Sequence, residues 1–342
     1  MSKKFLYFFD KYQKKSLSLL FCFMFVATIL EMIGLGFIFS IVGAIGSANV
    51  ESNLFINKLS TFFELDKTEI FLYLLLVFLL FYIIKTAFLI FYNWFESNFL
   101  HSYKEHLSSK VFREYLNQNF SYFHNRNSSE FIRNLLTEVE QFALYLVSIL
   151  RLALEIIIVI GIFCLLAYVN LYFTILILII FSFFSFLYFF LFKEKLNTWG
   201  ILRQSNIQKK IQFMQESFDG IKIIKFLGRE NFFFNKFKVH NITLAKVGTK
   251  TYFFQGMPRL LFELIGVFFI TFSLSILYYS EKNLTEIIQI LSIYIAASFR
   301  MLPSANRIVT NLQQIKLTYP AVNVLYNELK SFKKDTCTSY YE

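Results

Sequence analysis

Proline, cysteine and histidine are scarce in this chain, and each shortage removes a class of structure or function. Only 3 prolines and 11 glycines occur in 342 residues, so few positions force a helix to stop. The 3 cysteines are Cys22 and Cys164, each inside an apolar run, and Cys337 near the C-terminal end. They form no CxxC pair and no evenly spaced framework, which argues against disulfides and zinc. The 4 histidines, His101, His106, His124 and His240, lie in polar segments without metal-ligand spacing, and no metal site is expected. No G-x-x-x-x-G-K-[ST] segment is present, so the chain has no phosphate-cradling loop. The apolar run from about 16 to 45 is much longer than a signal-peptide core and lacks a small-residue cleavage site. It reads as a retained membrane span.

What the sequence has in abundance is apolar surface: 56% hydrophobic residues, 20% aromatics and 47 phenylalanines. Several windows exceed the roughly 18 to 20 apolar residues that cross a bilayer core as helix. Backbone in lipid must satisfy its own hydrogen bonds, and these runs lack the alternation of a barrel strand, so the expected fold is an all-α integral membrane protein. The phenylalanines are expected mostly to face lipid or pack between helices. The net charge of +11 would suit nucleic acid if it were gathered in one patch, but it is spread over segments between apolar runs. We read it as a positive-inside signal, with no nucleic-acid partner.

Residues 1–15 mix Lys3, Lys4, Lys11, Lys14 and Lys15 with Phe5, Tyr7, Phe8 and Phe9, the pattern of an amphipathic lead-in at the cytosolic surface. Spans are expected at about 16–46, 69–97, 141–166, 170–192, 251–278 and 285–309, within a membrane domain covering 16–334. An even number of spans places both termini in the cytosol. Residues 53–65 have helical apolar spacing and read as an amphipathic helix on the outer surface. Outer connections are short, whereas the two inner segments are long, basic and helical in pattern, so helices should project well beyond the bilayer into the cytosol.

That organisation resembles the transmembrane domain of ABC exporters. Residues 120–139, FSYFHNRNSSEFIRNLLTEV, are similar to their first inner loop through Phe123, Glu130, Arg133 and Glu138, with Ser129 where glycine is usual. Residues 216–237, ESFDGIKIIKFLGRENFFFNKF, are similar to the second through Glu216, Gly220, Ile221, Lys225, Gly228, Arg229 and Glu230. The resemblance implies an exporter type 1 (type IV) fold. Its coupling loops, 119–128 and 216–225, would meet an ATPase through Phe123, Glu130, Glu216, Gly220 and Lys225. SFRMLPSANRI, PRLLFELIG and ILEMIGLGFIFSIV further resemble the PglK-type flippases of lipid-linked oligosaccharides, and this implies a homodimer moving a polyprenyl-diphosphate glycan across the bacterial cytoplasmic membrane. Family members normally continue into an ATP-binding domain, which would begin near 335–342. No cofactor is therefore expected on this chain, and ATP and Mg²⁺ are expected on a nucleotide-binding partner. The alternatives are export of another lipid or a peptide, and a non-transporting membrane fragment or scaffold.

Charges inside spans need a reason, since an intramembrane ionisable group is costly. Arg300 and Arg307 are seven residues apart and so share a helical face, with Pro303 between them. By the span limits above, Arg259 and Arg300 fall at similar depth. Arg259, Arg300 and Arg307 are the candidate binders of a lipid diphosphate, because forked guanidinium donors suit phosphate oxygens; for Arg307 the alternative is snorkelling. The remaining intramembrane charges, Glu31, Lys85, Arg151, Glu155 and Glu263, suggest neutralising pairs: Glu31 with Lys85 between the first two spans, Arg151 with Glu155 at i,i+4, and Glu263 with Arg259 at i,i+4.

Overall fold

The computed structural model describes residues 11–46, 67–124, 126–169, 171–279 and 284–338. The lead-in residues 1–10, the outer helix expected at 53–65 and the last four residues lie outside the described residues, as do the side chains of 281–300. The described chain is all α-helical, with no strand. Its long helices are α1 (Lys11–Gly46), α2 (Lys67–Leu116), α5 (Val139–Val169), α6 (Leu171–Asp219), α8 (Glu230–Tyr279) and α9 (Leu284–Thr338). Five of the six stretches expected to span the membrane fall within one of them, as do residues 171–192 of the stretch 170–192. Shorter helices mark the inner ends: α3 (Phe120–His124), α4 (Ser128–Arg133) with a π-helical turn at Asn134–Glu138 leading into α5, and α7 (Ile221–Phe226) between α6 and α8.

The helices far exceed the membrane. At 1.5 Å per residue the 50 residues of α2 or α8 extend about 75 Å, against a hydrocarbon core of about 30 Å. Among the described residues, 13–34, 75–116 and 128–164 lie in helices long and apolar enough to cross a bilayer. The stretch of α2 between Tyr73 and Ile90 leaves Leu75, Leu79, Ile83 and Ile84 exposed, as lipid-facing helix should.

The best-packed core lies toward the inner ends. Leu20 and Met24 of α1, Phe99, Tyr103, Leu107, Val111 and Tyr115 of α2, Phe142, Leu146 and Leu150 of α5, and Val322, Leu325, Leu329 and Phe332 of α9 form one buried cluster. The rings of Tyr103 and Phe142 stack at 5.9 Å. Residues 141–150 owe their hydropathy to this cluster, so the first ten residues of the stretch 141–166 pack with the inner extensions of α2 and α9. Hydropathy alone does not separate a residue buried in protein from one buried in lipid.

Candidate functional site

The positions of the intramembrane charges follow from the register of the helices, and a proline sets that register. Pro258 sits inside α8, where it has no N–H to give the carbonyl four residues back. That carbonyl, on Phe254, accepts instead from the Tyr188 hydroxyl of α6 at 2.8 Å and from Gln313 Nε2 of α9 at 3.0 Å. Beside it, Gln255 Nε2 donates to Gln314 Oε1 at 2.8 Å. Further outward a Cβ on Gly266 would lie 3.1 Å from Leu302. The two antiparallel helices are therefore paired with 254 opposite 313 and 266 opposite 302.

Counting along this ladder puts Arg259 level with Arg307, to within a turn. Arg300 lies seven residues, about 10 Å, further out along α9. The expectation that Arg259 and Arg300 share one depth is thus corrected. Hydropathy limits aligned the ends of the two apolar runs, whereas Tyr188, Phe254 and Gln313 align the helices about two turns differently.

The charge pairs also differ from the expected ones. Arg151 and Glu155 do not pair within α5. Arg151 Nε donates to Glu96 Oε1 of α2 at 3.1 Å, and Arg307 Nη1 of α9 donates to Glu155 Oε1 at 2.8 Å. Arg preceding Glu is the weaker i,i+4 order, and each neighbouring helix supplies a partner across the interface. Both carboxylates are buried, with side chains 3% exposed, while the Arg151 and Arg307 side chains are 58% and 54% exposed. Arg259 and Glu263 are both exposed and form no pair with each other, contrary to expectation. The layer therefore contains Glu96, Arg151, Glu155, Arg259, Glu263 and Arg307. Around Arg307, Ser304 Oγ, Asn306 Oδ1 and Glu155 Oε2 are buried without a hydrogen-bond partner among the described residues.

A second level lies further out. Lys85 is eleven residues, about 16 Å, outward of Glu96 on α2. Its ammonium rests against α1 at Gly34, 3.3 Å from where a Cβ would stand, three residues from Glu31, and over the Tyr82 ring at 4.8 Å. The side chain of Arg300 lies outside the described residues. No group of three potential metal ligands occurs among the described residues.

At the inner end the two tips are built differently. In the first, Asn127 caps α4 by accepting from Ser129 N at 3.1 Å, and Ser129, standing where glycine was expected, is fully buried. Phe123 packs inward on Tyr122 and Phe131, and Glu130 occupies the first turn of α4, where the helix dipole favours it. The outward residue is Phe120, 85% exposed. The tip is tied to α9 by a clamp that no local pattern in the sequence reveals. Tyr122 donates to Glu328 at 2.6 Å, while Arg126 donates to both Glu328 oxygens at 2.9 and 3.0 Å and to the Tyr122 hydroxyl at 2.6 Å. Burial, then the bond to Glu328 and its charge, push the Tyr122 phenol far above its ordinary value.

The second tip stands clear. Gly220 ends α6, its N–H donating to the Glu216 carbonyl at 3.1 Å, and Gly228 turns the chain at φ 62°, where a side chain would strain. Lys225 pairs with Glu230 at 3.1 Å across this turn, both substantially exposed. Ile223 and Phe226 project outward, Phe226 with 90% of its surface free. Phe120 and Phe226 thus form two exposed apolar prongs at the ends of long helical hairpins.

A family model described as the ABC transporter transmembrane region matches residues 33–296, well over half the chain. The chain belongs to this family. As an ABC transporter transmembrane region it is a membrane protein with a transport role, and it pairs with a nucleotide-binding domain.

Proposed function

We propose that this ABC transmembrane region is the permease part of an ATP-driven flippase whose substrate is a polyprenyl-diphosphate-linked glycan in the bacterial cytoplasmic membrane. The supporting observation is the charged layer. The half-exposed guanidinium group of Arg307 and the exposed Arg259 level with it suit an anionic headgroup held beside lipid-facing helix. Arg300 lies outward of this layer and offers a second station for the same anion as it crosses. Two copies forming a homodimer would double both levels. ATP and Mg²⁺ bind the nucleotide-binding partner, which docks on the tips bearing Phe120 and Phe226.

The test is reconstitution with the ATPase partner in vesicles containing the lipid-linked substrate. Arg300→Ala is expected to lower substrate-stimulated transport at least tenfold while leaving the folded assembly intact. Unchanged transport removes the arginine from the path. Headgroup competition in the same vesicles separates this substrate from other lipids and from peptides.

A further inference from the structure

The pair between Glu155 and Arg307 is lopsided in a way that a structural ion pair does not require. Glu155 is 2% exposed, yet only Oε1 is engaged, at 2.8 Å from Arg307 Nη1, while Oε2 has no partner among the described residues. Arg307 lends one nitrogen and keeps more than half of its side chain open. One turn away on α5, Arg151 is likewise held by one nitrogen, its Nε on Glu96, with 58% of the side chain exposed. Two carboxylates and two arginines thus form an open chain, Glu96, Arg151, Glu155, Arg307, in which the central i,i+4 contact is unmade though within side-chain reach.

Resting on the diphosphate reading, we propose that Glu155 is an exchangeable counter-anion: it holds Arg307 while the site is empty, yields it to the incoming anionic headgroup, and is then taken up by Arg151. The chemistry favours such an exchange over simple release. A buried carboxylate stripped of its only partner is strongly destabilised, so a ligand that removed Arg307 would bind against that penalty. Closing the contact with Arg151 removes it, and Arg151 can bridge Glu96 and Glu155 because its terminal nitrogens are uncommitted. No proton or covalent step is involved; one charge-assisted bond breaks and two form. Glu155 and Arg151 are positioning residues here, and of the four members of this chain only Arg307 touches the ligand.

The exchange is tested by binding of farnesyl diphosphate, a short isoprenyl diphosphate, to the purified full chain in detergent at fixed ionic strength. Arg307→Ala is expected to weaken binding. Glu155→Gln, which removes the competing charge and keeps the shape, is expected to tighten it about tenfold. Arg151→Gln is expected to weaken binding severalfold in the native background and to have no effect beside Glu155→Gln, because an uncharged residue needs no new partner. If Arg307→Ala weakens binding but Glu155→Gln does not tighten it, the exchange is wrong and the diphosphate site stands. Equal weakening by Arg151→Gln in both backgrounds also overturns it, since Arg151 then contacts the ligand itself. If the native chain does not bind, or Arg307→Ala binds like the native chain, the diphosphate reading fails and takes the exchange with it. Glu155→Asp, which keeps the charge, is expected to bind like the native protein; together with elution and melting profiles it separates loss of charge from loss of fold.

Discussion

Removing Glu328 should loosen the first inner tip, and the clamp geometry sets how much. Its carboxylate side chain is 6% exposed and accepts three hydrogen bonds, one from Tyr122 and two from Arg126. In Glu328→Ala the Tyr122 phenol loses its acceptor, and Arg126 is left with Tyr122 as its only partner in the clamp. Breaking a buried pair from one side costs about 3–5 kcal/mol; Arg126, whose side chain is 32% exposed, recovers part of that from water, so we expect about 2–3 kcal/mol. Tyr122→Phe keeps the ring contacts with Phe131 and Phe332 but loses the hydroxyl both as donor and as acceptor, for about 1–2 kcal/mol. Because the two residues share Arg126, the double variant should cost about 1 kcal/mol less than the sum. Thermal unfolding in detergent reads all three values. In vesicles with the ATPase partner, Glu328→Ala should keep ATP turnover while substrate moved per ATP falls, because the docking tip no longer moves with α9. Additive melting shifts would refute the shared network, and an unchanged ratio of transport to hydrolysis would refute the mechanical role.

Two glycines at helix crossings should respond differently to the same substitution. A Cβ on Gly200 would collide with the Leu317 carbonyl oxygen and stand 3.2 Å from Pro320, so Gly200→Ala should cost about 1–3 kcal/mol; on Gly161 it would meet only the flexible thioether of Met32, at 2.7 Å, and cost less than about 1 kcal/mol. Equal melting shifts would show that the α6 and α9 backbones are not in fixed contact. Burial raises the Glu138 carboxyl above its ordinary 4.5, against the opposing effects of Gln204, Arg133 and Arg203. A carboxyl raised in the folded state favours folding below the unfolded value, and that contribution is lost as pH climbs through the folded value. The melting temperature of Glu138→Gln relative to the native protein should therefore increase between pH 5 and pH 7.5; a constant or decreasing difference would show that Glu138 is not held in this way.

Fold class was legible because it depends on quantities a sequence displays directly: long apolar runs, almost no breakers and basic stretches between them. The second tip was legible for a similar local reason, since Gly220, Gly228 and the pair Lys225 and Glu230 lie within eleven residues. Register was not legible. It is set by Tyr188, Phe254 and Gln313, which come from three helices and meet only at one carbonyl. A signal was nevertheless present, because Pro258 within an apolar run announces that the carbonyl of residue 254 needs a donor from elsewhere. Arg151 and Glu155 show the opposite failure: their spacing suggested a partnership that Glu96 and Arg307 intercept. The clamp of Tyr122 and Arg126 on Glu328 joins residues more than 200 apart, and nothing local to either end marks it.

The charged layer and the clamp are ends of the same helix. Arg307 and Glu328 both belong to α9, 21 residues and about 31 Å apart along the axis. At one end α9 is held to α5 through Glu155, and at the other to the first tip through Tyr122 and Arg126. Between them Phe142, Leu146, Leu325 and Leu329 are buried in one core, so α5 and α9 cannot slide past each other without repacking it. Packed helix thus joins the first tip to Glu155 and Arg307, whereas α6 and α8 join the second tip, which has no such clamp among the described residues, to the junction at Phe254. The two tips address one charged layer from different sides: one through the partner of Arg307, the other through the helix that carries Arg259.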